Sequence, residues 1–247
     1  MPDTSAPLLF PPTRWTLLKR VREGGAEDAK AALETLCRAY WKPLYCVARQ
    51  KQLPTHDAQD AVQSFFESIL RREVFTMADE TAGKLRNLLL RSFDNFCAQR
   101  WIRDHRQKRG GRTEHVELGE FLDCHAAEKS FLAFGGESVS IEVLYNREWA
   151  RAVLERSLTA LREDYARRGW LERYDLLVGP LLQQSGEGTL EQLAMKAGTT
   201  HGALRVTLHR MRGHFRDKIE QELAITLDSD DPALIRAEQT ELFKAFA

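Results

Sequence analysis

Long apolar runs, paired cysteines and a net charge are all missing from this 247-residue chain, and each absence narrows what it does. No stretch approaches the roughly 20 apolar residues that cross a bilayer, and the start MPDTSAPLLFPPTRW lacks the basic-then-apolar order of a secretory leader. A cytoplasmic chain with no membrane partner is expected. Cys37, Cys46, Cys97 and Cys124 form no CxxC pair, and three of them fall in helical patterns where cysteine acts as a small hydrophobe. Disulfides and a zinc site are therefore not expected. There is no HExxH, no GxSxG and no phosphate-binding loop, and no Cys/His/Asp grouping has catalytic or metal spacing. The expectation is a protein that is not an enzyme, with no catalytic residue, no metal and no cofactor.

Alternating β-branched runs bounded by hairpin turns are absent as well, while nearly every long segment carries helical periodicity, so the fold class is read as all-α. With 43% hydrophobic and 29% charged residues the chain can bury a core, and its length suits one or two domains. Helices are expected at 27–41, 43–51, 55–71 and 81–108, with a weak piece at 75–79. Thr55 caps a helix whose stripe is Ala61, Val62, Phe65, Phe66, Ile69 and Leu70. The next carries Leu85, Leu88, Leu89, Phe93, Phe96 and Cys97 before its surface turns basic, and Gly110-Gly111 ends it. Later, Trp149, Val153, Leu154, Leu158 and Leu161 share a face over 148–168, and a further helix follows at 173–182.

The balance of 36 cations and 36 acids conceals blocks. Nine cations face two acids over 83–112, eight acids face two cations over 113–150, and seven acids face two cations over 220–247. The acidic segment 113–140 is poorly periodic but holds Phe131 and Phe134, which makes it a linker with the means to dock on a domain.

The stretch 189–219, TLEQLAMKAGTTHGALRVTLHRMRGHFRDKI, reads as two helices broken at Gly198. Thr189 is expected to cap the first, whose apolar face is Leu190, Leu193 and Ala194; Gly198 supplies a positive φ; the second starts at Thr199 or Thr200. Ala203, Leu204, Leu208 and Met211 form the inner face of the second helix, leaving His201, Arg205, His209, Arg210 and Arg212 on faces suited to a DNA groove or to phosphates. An ordinary helical hairpin with a solvated cationic face is the competing interpretation. His214, like His209, reads as a surface histidine.

Taken in order, ALETLCRAYWKPLYCVAR, DAQDAVQSFFESILRR, GKLRNLLLRSFDNFCAQRWIRDHRQKRGG and GALRVTLHRMRGHFRDKI resemble bacterial RNA polymerase sigma factors of the extracytoplasmic-function class. The resemblance covers about residues 28 to 222. It implies two small helical domains: an extension 1–27, a region-two domain 28–112, an acidic linker 113–140, a region-four helix-turn-helix domain 141–222 and a tail 223–247. The first domain would hold the polymerase clamp and open the promoter near −10, and the second would read the −35 box. The implied partners are core RNA polymerase, promoter DNA and an anti-sigma factor, with the chain itself a monomer.

The clamp surface corresponds to Asp57, Asp60, Gln63, Ser64 and Glu67, where Ala61 and Ser64 depart from the family's more polar pattern. Asp57 has a second interpretation, as a carboxylate favourable to a helix start. Near −10, Arg100, Arg103, Arg106, Lys108 and Arg109 would contact phosphates, and Asn95, Gln99 and Trp101 would touch unstacked bases, although a core position is the stronger interpretation of Trp101. At −35, Thr200, His201 and Arg205 are the base-reading candidates, with His209 on the same helix, and Arg210, Arg212 and Arg216 hold phosphates. The alternative is a stand-alone helix-turn-helix regulator that binds duplex DNA as a dimer. The tail, with Leu234, Ile235, Leu242, Phe243 and Phe246, either masks DNA binding by folding back on a domain or merely closes the second domain.

Overall fold

The computed structural model describes residues 16–71, 84–106, 124–133, 139–182 and 187–246. Among them the fold is all-α, with no strand. The helices are α1 (Thr16–Glu23), α2 (Ala26–Gln50), α3 (Thr55–Leu70), α4 (Leu85–Arg106), α5 (Cys124–Ala133), α6 (Ile141–Arg167), α7 (Leu171–Leu182), α8 (Glu187–Lys196), α9 (His201–Leu227) and α10 (Pro232–Lys244). None of the described helices is long and apolar enough to cross a membrane. The expected helix at 75–79 and the glycine stop at 110–111 lie outside the described residues.

Two compact units emerge: residues up to Ala152 together with 224–247, and residues 153–223. Their boundaries fall inside α6, after Ala152, and inside α9, after Leu223: the first lies beyond the expected linker 113–140, and the second within a residue of the expected start of the tail at 223.

In the first unit α2 is central, packed by α1, α3, α4 and α5. It is one helix, not two broken at Pro43: Pro43 is buried inside it. Proline removes the hydrogen bond that the Ala39 carbonyl would receive, but Leu44 to Ala48 are each fully buried beyond it, and that packing holds the helix through the defect. The stripe of α3 is inward as expected, with Ala61, Val62, Phe65, Phe66 and Ile69 at most 1% exposed. Phe65 meets Phe93 and Phe96 of α4 edge-on, at 5.2 and 5.6 Å between centroids. Cys97 is partly buried nearby, and burial pushes its thiol up to about 11.

Part of the acidic linker is a docked helix. Ala127 of α5 is fully buried, and Glu128 takes Arg49 Nε at 2.9 Å, Arg49 Nη2 at 2.9 Å and the Tyr45 hydroxyl at 2.6 Å. Arg49 also covers the Phe131 ring at 5.2 Å. Phe131 of the linker is thus held in part by a cation over its ring.

The tail also belongs to this unit. Asp231 caps α10 by accepting from the Ala233 N–H at 2.9 Å, with Pro232 in the first turn. Leu234, Glu238 and Leu242 are buried, while Phe243 and Phe246 are 56% and 49% exposed. The interpretation of the tail as a closure of the second domain is corrected: Glu238 pairs with Arg86 at the start of α4, and Lys84 reaches Glu238 and Glu241 at 3.2 and 3.6 Å.

The second unit is a small bundle in which Leu161 and Tyr165 of α6, Tyr174 and Leu177 of α7, Leu190 and Ala194 of α8, and Leu204, Leu208 and Met211 of α9 share one core. Arg156 donates to Glu222 at 2.9 Å, fixing α6 to α9 within it.

Candidate nucleic-acid interface

The segment between α8 and α9 is a helix-turn-helix joint. Gly198 has φ +62°; its N–H donates to the Met195 carbonyl at 3.2 Å, and the Thr199 N–H donates to the Ala194 carbonyl at 3.0 Å. This pair of bonds is the Schellman closure, in which a left-handed residue satisfies the last carbonyls of a helix. Thr200 then starts the next helix by accepting from the Ala203 N–H at 3.2 Å on its hydroxyl. The turn therefore has the predicted glycine, and α9 begins at His201, one residue after the later of the two expected starts, with Thr200 as its cap. Thr189, expected as the cap of the first helix, instead lies inside α8, which begins at Glu187.

Leu204, Leu208 and Met211 point inward at 4%, 2% and 0% exposure. Ala203, assigned to that inner face from spacing, is exposed. It stands about 100° around the helix from Leu204, beyond the edge of the buried stripe.

The outward side is cationic without compensation. From His201 to Arg216 the helix has no Asp or Glu. Thr200, Arg205, His209, Arg210, Arg212 and Arg216 are exposed and His201 is half-buried. Among the described residues, none of these four arginines is joined to a carboxylate, although Arg20, Arg49, Arg86, Arg156 and Arg168 all are. A line of exposed, unpaired arginines on a helix whose N-terminus is free of acids attracts polyanions. His214 is not a plain surface residue: its Nδ1 lies 3.2 Å from the Tyr165 hydroxyl, and the rings meet edge-on at 5.9 Å. It braces α9 against α6. A histidine well beyond the turn at Gly198 gave no sequence signal for this contact, because Tyr165 is 49 residues away.

In the first unit, Asn95 and Gln99 are exposed one turn apart on α4, and Arg100 is half-buried, donating to the Ser64 hydroxyl at 3.5 Å. The side chains of Trp101, Arg103 and Arg106, on the same helix, and residues Lys108 and Arg109 lie outside the described residues. On α3, Asp57 is exposed, Asp60 is half-buried and lies 3.3 Å from His56, and Gln63 and Ser64 are half-buried. Glu67, predicted to share this presented face, is only 3% exposed and accepts from Gln63 at 3.2 Å. That is a correction: a helix position four residues beyond Gln63 drifts toward the core on this helix, and Ser68 and Phe66 beside it are buried too.

No group of three or more potential metal ligands is gathered among the described residues. No family model, no curated protein and no solved structure matches the chain.

Proposed function

We propose that this chain is a transcription initiation factor of the extracytoplasmic-function sigma type, one that binds core RNA polymerase and directs it to particular promoters. The observation that carries the reading is the exposed arginine face of the first half of α9, residues 201–216, which holds no carboxylate and lies behind a left-handed glycine turn. In this reading Thr200, His201 and Arg205, at the N-terminal end of α9, read base edges in the major groove of the −35 duplex. Arg210, Arg212 and Arg216, with His209 between them and the base-reading end, hold phosphates and set register. Asn95, Gln99 and Arg100 of α4, continued by Trp101, Arg103, Arg106, Lys108 and Arg109, engage the −10 strand as it opens. Asp57, Asp60, Gln63 and Ser64 of α3 meet the polymerase clamp, with Glu67 behind them holding Gln63. The chain acts without catalysis or cofactor of its own; the polymerase supplies both.

The test is to mix the full chain with core RNA polymerase and follow comigration, then transcribe a fragmented genomic library. Comigration with selective initiation at a small set of fragments supports the reading. A chain that stays apart from polymerase, dimerises and binds a palindromic duplex alone overturns it in favour of a stand-alone regulator.

A further inference from the structure

On α9, successive residues turn by about 100°, so the direction opposite the buried Leu204, Leu208 and Met211 is occupied by Gly202, Val206, His209 and Gly213, and further along by Asp217 and Glu220. Arg205, Arg212 and Arg216 border this ridge on one side and Arg210 on the other. Val206 lies within about 20° of the ridge's centre and is 51% exposed. It is thus an apolar side chain at the crown of a cationic face, one turn beyond Gly202, where a Cβ would meet nothing within 4 Å. The absence of a side chain at Gly202 leaves Val206 as the foremost group of the first turns, with exposed arginines flanking it on either side.

We infer that Val206 is a specificity-determining residue that packs its methyl groups against the C5-methyl of a thymine in the major groove. This rests on the assignment of α9 as the DNA-reading helix. The thymine methyl is the only apolar group that a base pair offers on its major-groove edge. A branched aliphatic side chain has no hydrogen bond to give, so cytosine, adenine and guanine edges placed against it would lose water contacts without replacement. Arg205 and Arg210 on either side carry the polar readout and phosphate grip, and Val206 adds preference for thymine at the position between them.

The full chain is used to select duplexes from a random library, with and without core polymerase, and each thymine of the enriched site is then replaced singly by deoxyuridine, which lacks only the methyl. One replacement is expected to weaken wild-type binding about fourfold, the value of one buried methyl group, and Val206→Ala, an exposed substitution that raises helix propensity, is expected to bind both duplexes alike. An enriched site without thymine, uniform binding of every uracil duplex by the wild type, or an unchanged uracil penalty in Val206→Ala overturns the inference. Arg205→Ala and Arg210→Ala separate the two levels. If they bind the enriched duplex as the wild type does, or if nothing is enriched, the assignment of α9 itself fails; if they weaken binding while uracil has no effect, only the role of Val206 fails.

Discussion

The guanidinium of Arg86 lies 4.4 Å from the centroid of the Trp149 ring, and both residues are almost wholly buried, at 5% and 1% exposure. A buried cation over an aromatic face still needs an anion, and Glu238 of α10 supplies it, with Glu241 contributing at 3.2 Å. Removing one partner of such a pair leaves an uncompensated charge, a cost of about 3 kcal/mol at the low end of the usual range because Glu241 remains. Glu238→Ala is therefore expected to lower the stability of the first unit by about that amount in urea unfolding followed by tryptophan fluorescence. Arg86→Met with Glu238→Leu should recover most of it, since buried pairs replaced by apolar groups are often near neutral. A single variant that unfolds with the wild type would show that α10 is not held this way. Truncation after Ser229, which leaves α9 whole, is expected to destabilise the same unit, and a rise in DNA affinity on that truncation is what a masking role for the tail requires.

The stripes of α3 and α4 were legible because a helix core is a local periodicity: Phe65, Phe66 and Phe93 are each fully buried where spacing placed them. The joint at Gly198 was legible for the same reason, since a left-handed residue between two apolar repeats is a local demand. Pro43 misled because packing, not backbone hydrogen bonding, decides whether a proline ends a helix. The Arg86–Glu238 pair spans 152 residues, and nothing in either neighbourhood announces the other. Of the candidate site, the arginines of α9 could be placed from periodicity. The burial of Glu67 and the bracing role of His214 could not, because both depend on which neighbour covers the helix.

The carboxylate of Glu128 is held below its ordinary range, first by the hydrogen bond from Arg49 and then by that from Tyr45, against the opposing effect of burial. A carboxyl whose folded value lies below its unfolded value of about 4.3 stabilises fully above that pH. The contribution disappears as pH falls through the lower folded value. Glu128→Gln is expected to cost about 2 kcal/mol at neutral pH, measured as loss of hydrogen-exchange protection in α5. The wild type and the variant should converge as pH falls through the lowered folded value. A difference that persists unchanged into acid would mean that packing of Ala127, not the charge, holds α5.

Gly198 at φ +62° has open space where a Cβ would stand, with nothing within 4 Å. Substitution there is strained by backbone conformation alone. Gly198→Ala is expected to destabilise the second unit by about 1 kcal/mol, Gly198→Asn by less, because asparagine tolerates the left-handed region, and Gly198→Val by more, because β-branching forbids it. Thermal unfolding of the three variants checks the order. Equal losses for Asn and Val would place the cause in contacts rather than in φ.

Arg210, Arg212 and Arg216 are exposed and joined to no carboxylate among the described residues, so each is free to displace a counterion from a phosphate. In that case every arginine removed lowers the dependence of log affinity on log salt by about 1. Alanine at one of these positions should weaken binding to preferred and random duplexes by similar factors, because phosphates carry no sequence information. Arg205→Ala should instead reduce the gap between the two, since a bidentate contact to a base is worth about 1–3 kcal/mol of discrimination. Titrations from low to physiological salt on both duplexes separate the classes. If Arg210→Ala narrowed the gap and Arg205→Ala moved only the slope, α9 would enter the groove by its middle rather than by its N-terminal end, and the order of base-reading and phosphate-holding residues along the helix would have to be reversed.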